Sequence, residues 1–378
     1  MKIVKAIFIV TVTALSVQSR VIKSIDFSGE SVGQYSRNQL NRQWNSPSWE
    51  NGISDGRVHI VNDPAGKRGK VMRVRYDRNG VGPREGGAQW KMDLGKSYDT
   101  LYVSYMVMIP QDFDRVKGGK LPGLVGGTAP VGGDNVNGRD GFSARIMWRD
   151  CPTVKQAALT QYIYYMEKKG DWGEDFYWAH PNYNWASRRR FLAKGKWHTL
   201  KTRIIMNTPG QRNGKVTSWL DGTLALDTTL MLRARNGNFG IDEFYFSTFY
   251  GGGTKEWAPS KNEFIYFDRF IFSTKDIPEE VSVSRDLMHS KSSQKAGHFQ
   301  LSRNVSDPGV TIRLTRDIPE SSRLSIFTSK GMLVESITLQ PSENITKVVG
   351  SSYSSGTYFA VLEVNSVTAQ SRIFTITR

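Results

Sequence analysis

The sequence predicts an all-β protein, with a large β-jelly-roll sandwich followed by a small β-sandwich domain. Two observations favour this fold class. Short runs rich in Val, Ile, Tyr, Phe and Trp alternate apolar with polar residues, and Gly, Asn, Asp and Pro separate them, which is typical of β-sandwiches. Apolar residues at helical spacing are scarce along the 378 residues, so we expect few helices.

Several segments of the larger domain show this alternation and are predicted to be strands. They are residues 71–76, 101–109, 142–148, 161–166, 197–206, 215–220, 241–249 and 264–272. Asp221 and Gly222 come directly after one of these segments and predict a hairpin turn. Three glycines at positions 251–253 end another.

The ends of the chain differ from this middle part. Residues 1–19 have the pattern of an export signal, because Lys2 and Lys5 precede an apolar run that ends at Val17-Gln18-Ser19. The run is shorter than the ~20 apolar residues that span a bilayer. We therefore expect a signal peptide, a secreted or cell-surface protein, and no membrane span.

Domain boundaries follow from changes in composition. The jelly-roll domain is predicted over residues 20–275, and a Ser-rich segment without apolar periodicity predicts a linker over residues 276–305. Short alternating segments then recur at fairly even spacing, which predicts a small β-sandwich over residues 306–378. These segments are residues 310–314, 324–327, 334–339, 346–349, 357–364 and 372–376.

The charge is strongly basic and unevenly placed. The formal net charge is +16, and residues 276–378 contain 11 basic and 10 acidic residues, so nearly all of the excess lies in the larger domain. Such a field concentrates polyanions near the surface. For an exported protein we expect an acidic polysaccharide rather than nucleic acid, for which no recognised motif is present.

Polar side chains gather on one face of two predicted strands. Because side chains alternate between faces along a strand, Ser143 and Arg145 share one face, and Tyr162 and Tyr164 share a face of the next strand. The residues behind Ser143 and Arg145 form a core pattern: Phe142, Ala144, Ile146 and Trp148. Lys120 lies among glycines and a proline, which predicts a loop that approaches a ligand closely.

These residue types suit β-elimination from a uronate. Removal of the C5 proton is opposed by the adjacent carboxylate, so a cation must neutralise that carboxylate. Arg can bind two carboxylate oxygens, and a Tyr can act as acid or as base, provided that nearby cations lower its pKa in the second case. By spacing alone, however, alternating Tyr residues are more typical of a half-exposed sheet face.

At these positions the sequence resembles polysaccharide lyase family 14, the alginate and glucuronan lyases with a β-jelly-roll fold. The similarity covers about residues 25–274. The matching segments are residues 118–124, 142–149 and 161–164, with weaker support from residues 86–90, 173–176 and 246–252. Several motifs in the same order make the resemblance more specific than any one of them.

The resemblance implies catalytic roles for Lys120, Ser143, Arg145, Tyr162 and Tyr164. Arg145 or Lys120 would neutralise the carboxylate, and one Tyr would act as base or acid. The long segment 149–160 leaves the register of the Tyr pair open. Four further residues are expected to bind substrate: Arg84, Gln89, Tyr165 and Tyr250.

The C-terminal region resembles the sorting domain of the type IX secretion system. The matching residues are 324–327, 331–334, 355–362 and 374–378. The resemblance implies a delivery domain that interacts with secretion machinery and does no catalysis. A small carbohydrate-binding sandwich is the competing interpretation.

Other functions of the jelly roll are weighed against elimination. A non-catalytic, lectin-like protein on the same fold is the main alternative. A glycoside hydrolase needs two carboxylates that flank the scissile bond, but Glu174/Asp175 and Asp242/Glu243 are adjacent pairs that point to opposite faces of a strand.

No cofactor and no metal are expected. The five His residues show no ligand spacing, and Cys151 is the only cysteine, so no disulfide forms within the chain. A loop with Asp134, Asn135 and Asp140 has oxygen ligands that suit Ca²⁺, but in a weak pattern. We expect a monomer, and the sequence does not choose between alginate and glucuronan, nor between endo and exo cleavage.

Overall fold

The computed structural model describes residues 21–179, 189–277, 299–303, 310–314, 322–328, 333–339, 346–349, 353, 356–364 and 367–376. The chain divides into two compact units, with the boundary between Ile277 and Pro278. The predicted signal peptide and most of the predicted linker lie outside the described residues.

The first unit consists almost wholly of strands. They are β1 (Val21–Ile25), β2 (Gly33–Gln34), β3 (Val58–Asn62), β4 (Lys70–Tyr76), β5 (Ala88–Tyr98), β6 (Thr100–Met108), β7 (Gly118–Gly127), β8 (Gly141–Cys151), β9 (Gln156–Tyr164), β10 (Glu174–Tyr177), β11 (Phe191–Leu192), β12 (Trp197–Ile205), β13 (Gly214–Leu220), β14 (Thr223–Leu230), β15 (Ile241–Tyr250) and β16 (Glu263–Ser273). Two short helices, α1 (Arg37–Gln43) and α2 (Gly82–Glu85), and one 3-10 turn, Lys255–Trp257, connect them.

These strands form two antiparallel sheets. The first has the order β14-β13-β12-β6-β16-β4-β3-β2, with β1 also paired to β16. The second has the order β10-β9-β8-β7-β15-β5, with β11 paired to β9. Every strand predicted from alternation in this unit is present, although several begin or end a few residues from the predicted position. The all-β jelly-roll prediction is therefore confirmed.

An aromatic core fills the space between the two sheets. Trp44, which follows α1, packs edge-on against Trp90, Phe246 and Phe270 at centroid distances of 5.2, 5.4 and 5.0 Å. The four residues of β8 that were predicted to face the core all belong to it. Alternation then leaves the intervening residues of β8 on the opposite face of the second sheet.

The prediction that Lys120 lies in a loop is wrong. Lys120 is the third residue of β7, which pairs with β8 on one side and β15 on the other. The register between β7 and β8 shifts between Leu121 and Leu124, so Pro122 and Gly123 form a β-bulge. A bulge accommodates a proline within a central strand, because its missing N–H falls where the ladder is already interrupted.

The second unit contains two small antiparallel sheets. Its strands are β17 (Phe299–Arg303), β18 (Val310–Leu314), β19 (Ser322–Thr328), β20 (Leu333–Leu339), β21 (Thr346–Val349), β22 (Gly356–Val364) and β23 (Val367–Ile376). Their orders are β17-β18-β21 and β20-β19-β22-β23. Strand β17 was not predicted, because it lies inside the segment interpreted as a linker. Among the residues that the structure describes, no helix has the length and apolar character needed to cross a membrane.

Candidate active site

Strand register brings the predicted catalytic residues together on the second sheet. Arg145 in β8 lies directly opposite Tyr162 in β9, and Ser143 lies opposite Tyr164. Lys120 in β7 lies opposite Met147 of β8. All of these side chains belong to the face that points away from the main core, which we call the polar face.

Lys120 is held in a pocket of sulfur and aromatic carbon. Its side chain is 9% exposed, and its Nζ lies 2.7 Å from Met147 Sδ and 3.7 Å from the centroid of the Tyr162 ring. Burial lowers the pKa of Lys120 well below its ordinary value, and the charges of Arg145 and Arg149 lower it further. An amine in this position loses its proton more readily than an exposed lysine does.

Arg145 is a buried cation that is paired with no carboxylate of the residues that the structure describes. It is 3% exposed, one guanidinium nitrogen donates to Ser247 Oγ at 3.2 Å, and its guanidinium carbon lies 5.2 Å from the Tyr245 ring centroid. Its Nε is buried and has no hydrogen-bond partner among the described residues. Because an unpaired buried charge is unfavourable, this arrangement suits a site that receives an anion.

The two tyrosines accept hydrogen bonds from neighbouring loops. The backbone N–H of Gly173 donates to the Tyr162 hydroxyl at 3.1 Å, and that of Gly133 donates to the Tyr164 hydroxyl at 3.1 Å. Burial raises the pKa of Tyr162, and the neighbouring Tyr164 adds to this rise. The charge of Arg149 lowers the pKa of Tyr162, as expected of a nearby cation, but burial outweighs this effect, so the condition for Tyr162 to act as a base is not met.

The Ser143 side chain forms a hydrogen bond with the loop that follows β7. Its side chain is fully buried and its Oγ donates to the Pro130 carbonyl at 2.6 Å. Ser143 and Tyr164 therefore both fasten residues 128–140 to the sheet. Lys120, Arg145 and Tyr162 each retain a small exposed fraction, whereas Ser143 and Tyr164 have none.

Cations farther along the polar face have carboxylate partners. Arg149 pairs with Asp175 at 2.7 Å, and Lys91 pairs with Glu243 at 3.1 Å. These two cations are thus neutralised by carboxylates, unlike Arg145 at the centre.

A buried amide supports the centre from the core side. Gln161 points between the sheets, and its Nε2 donates to the carbonyls of Ala144 and Arg145 at 2.8 and 3.2 Å. Its Oε1 accepts from Ser218 Oγ in the first sheet at 2.9 Å. Near it, the Tyr105 hydroxyl donates to the carbonyl of Pro122 in the bulge at 3.0 Å. These bonds hold the backbone of β8 and of the β7 bulge in place, and thereby help to position the side chains of Arg145 and Lys120.

The four residues predicted to bind substrate are placed differently. Gln89 lies on the polar face, where its side chain accepts from the Tyr245 hydroxyl at 2.9 Å and donates to Asn51. Arg84 is exposed on α2. Tyr165 and Tyr250 are buried in the main core, so the binding role predicted for them does not fit the structure. Tyr165 follows directly after β9 and continues its alternation, so it lies on the core side while Tyr162 and Tyr164 share the polar face.

Several residues of the site were missed. Tyr245 and Ser247 of β15, and Asn51 before β3, contact predicted site residues. They are remote in sequence from the other motifs, and no local pattern states that β15 is the neighbour of β7. Ser247 lies in the segment 246–252 that gave weak support to the family resemblance, whereas the i, i+2 spacing of Tyr245 and Ser247 fits any strand.

The acidic pairs do not converge on one site. Tyr165 donates to Glu174 while Asp175 pairs with Arg149, and Asp242 accepts from the Gly127 N–H while Glu243 pairs with Lys91. In the described parts of the chain, no three His, Cys, Asp or Glu side chains are grouped as a metal site would require.

Comparisons with known proteins place this geometry in a family. The family model described as polysaccharide lyase 14 matches residues 64–270. A search of curated proteins found no match. Among solved structures, the alginate lyase Aly36B is 24% identical with a TM-score of 0.57, over 68% of this chain and 98% of that chain.

Two further alginate lyases share the fold. The PL-14 alginate lyase from Aplysia kurodai is 22% identical with a TM-score of 0.52, over 67% of this chain and 98% of that chain. The lyase vAL-1 from Chlorella virus is 23% identical with a TM-score of 0.50, over 67% and 99%. Because the family model matches more than half of the sequence, the chain belongs to polysaccharide lyase family 14 and is a polysaccharide lyase.

Proposed function

We propose that the protein cleaves an acidic, uronate-containing polysaccharide, alginate or glucuronan, by β-elimination on the polar face. One observation carries this proposal. Arg145 is buried beside Lys120 and Tyr162, and no carboxylate of the described residues is paired with it. A uronate carboxylate is the missing partner that this cation suits.

The protonation preferences of the site assign the remaining roles. Lys120, whose pKa is lowered, takes the C5 proton as an unprotonated amine. Tyr162, whose pKa is raised, keeps its proton and donates it to O4 as the C4–O4 bond breaks. The Tyr162 hydroxyl accepts the Gly173 N–H and is also hydrogen-bonded with Tyr164, and O4 of the substrate would take the place of Tyr164 as the acceptor of its hydrogen in this transfer.

The reaction balances with these groups alone. Arg145 neutralises the carboxylate while charge develops at C5. The C5–H electrons form the C4=C5 double bond, the leaving sugar takes the Tyr162 proton, and Lys120 returns its proton to Tyr162 or to solvent. Ser143 and Tyr164 hold the loop over this centre.

Ultraviolet absorbance tests the proposal, because elimination creates a conjugated double bond and hydrolysis does not. Wild-type protein and Lys120→Ala are incubated with alginate, glucuronan and a neutral glucan. We expect absorbance to rise on at least one uronan for the wild type, not on the glucan, and to be nearly lost in the variant. Binding of a uronan without any rise would favour the lectin-like alternative.

The destination of the protein is a separate proposal. The pattern of residues 1–19 and the resemblance of residues 306–378 to a type IX sorting domain support export to the cell surface or medium. Fractionation of cells that produce the full chain or a chain lacking residues 306–378 tests it. Equal amounts of both chains in the medium would contradict a sorting role.

A further inference from the structure

Two exposed tryptophans stand on opposite sides of the reactive centre. Of the tryptophans that the structure describes, only Trp172 and Trp49 are exposed, at 63% and 37%. Single exposed apolar residues are common on proteins. These two are distinguished by their neighbours, which on each side are residues of the polar face.

Trp172 lies beside the two tyrosines of β9. It precedes Gly173, whose Cα lies against the rings of Tyr162 and Tyr164 and whose N–H donates to Tyr162. The Trp172 ring also packs on Gly133, the residue that donates to Tyr164. The exposed ring is thus fixed next to both tyrosine hydroxyls.

Trp49 occupies the corresponding place on the other side. Its ring meets Tyr245 edge-on at a centroid distance of 6.1 Å. Tyr245 in turn lies under the Arg145 guanidinium and donates to Gln89. Trp49 is thereby connected to Arg145 through the ring of Tyr245.

The strand order gives the separation of the two sites. Trp172 lies over β9 and Trp49 over β15, with β8 and β7 between them. Three strand spacings of 4.7–4.9 Å amount to about 14 Å. A segment of that length exceeds a single sugar ring, and Arg145 and Lys120 lie between its ends.

We propose that Trp172 and Trp49 are sugar-stacking subsites that bind a uronan chain across the strands on both sides of the scissile bond, so that cleavage occurs inside the chain. The flat apolar ring of Trp covers the apolar face of a sugar. The basic residues between the two tryptophans complement the carboxylates of the same polysaccharide chain. This inference rests on the proposed function, because it places the same substrate in the same site.

Kinetics with the full-length protein tests the subsites. Trp172→Ala and Trp49→Ala are expected to raise KM for the uronan polymer about tenfold each, with kcat changed less than about twofold. Trp172→Phe and Trp49→Phe, which keep a ring, are expected to recover most of the affinity. Leu224→Ala, a comparably exposed residue (40%) on β14 of the other sheet, serves as the matched control and is expected to behave as the wild type.

Product size and binding separate the possible failures. Early products of the wild type are expected to be oligosaccharides of intermediate length, and release of only mono- or disaccharides from the start would overturn the inference. Unchanged KM in both Ala variants of an active lyase would also overturn it. Retardation in gels containing alginate or glucuronan reports binding without chemistry. If the wild type binds but does not cleave, the proposed function fails alone, and retardation unchanged in the Trp variants would overturn the subsites as well.

Discussion

The two faces of the second sheet are almost equally shielded from water but differ in how their polar groups are satisfied. On the core face, Trp148 is 1% exposed, and the buried amide of Gln161 has partners in both sheets. On the polar face, Arg145 is 3% exposed, yet its Nε has no partner among the described residues. The comparison teaches that burial alone does not identify a site. At Arg145 the more informative feature is a buried cation that is paired with no carboxylate of the described residues, which is unfavourable for stability alone.

Loss of Lys120 should have the largest effect, because it removes the proposed base. Lys120→Ala is expected to lower kcat by about 10²–10⁴-fold while the fold is retained, since the side chain forms no ion pair in the described structure. Lys91→Ala is the matched control, because Lys91 lies on the same face but already pairs with Glu243. A similar loss in both variants, measured by absorbance, would mean that general charge rather than position matters.

Arg145→Ala should follow closely. Removing one stabilising donor of developing charge lowers kcat by about 10²–10³-fold. The variant should unfold at the same temperature as the wild type or above it, since the lost cation is paired with no carboxylate in the described part of the chain. Thermal unfolding measured beside activity checks both parts, and a large loss of stability would contradict the contrast between the two faces.

Because each face of the second sheet has a tyrosine, the same substitution can be made on both faces and its effects compared. Tyr162→Phe is expected to lower kcat by about 10²-fold, because the ring is kept but the donated proton is lost. Tyr165→Phe removes the hydrogen bond to Glu174 in the core and is expected to cost about 1 kcal/mol of stability with activity nearly intact. Activity and unfolding curves that show loss of activity in Tyr165→Phe and loss of stability alone in Tyr162→Phe would contradict these assignments.

The pH dependence of kcat/KM tests the protonation states. The base must be deprotonated, so activity should rise about tenfold per pH unit below the lowered pKa of Lys120 and then level off. The acid must be protonated, and the raised pKa of Tyr162 places the falling limb above the ordinary tyrosine value of ~10. A profile that falls between neutral pH and pH ~10 would disagree with Tyr162 as the acid.

Gln161→Leu should have a smaller effect on catalysis than the changes at Lys120, Arg145 and Tyr162. It leaves the carbonyls of Ala144 and Arg145 without the amide donor, which we expect to cost about 1–3 kcal/mol and to lower Tm by about 2–4 °C per kcal/mol. Activity should fall only several-fold, through displacement of Arg145. Ser218→Ala, which removes one bond to the same amide, should give a smaller shift in the same direction.

The sequence by itself predicted many of the strands, the order of two units, and the shared faces of Ser143 with Arg145 and of Tyr162 with Tyr164. Period-two alternation is a local property, and it correctly separated Arg145 from Ile146 and Tyr164 from Tyr165. The family motifs pointed to the same residues, and their catalytic roles await the experiments above.

Only the tertiary structure decided which strands are neighbours and which groups are buried. A proline among glycines is a loop by local rules, and only pairing with β8 and β15 made Lys120 part of a bulged strand. Local charge left open whether a tyrosine acts as acid or as base, whereas burial raises the pKa of Tyr162 and lowers that of Lys120. Burial and strand order are set by contacts between residues far apart in the chain, which no local pattern contains.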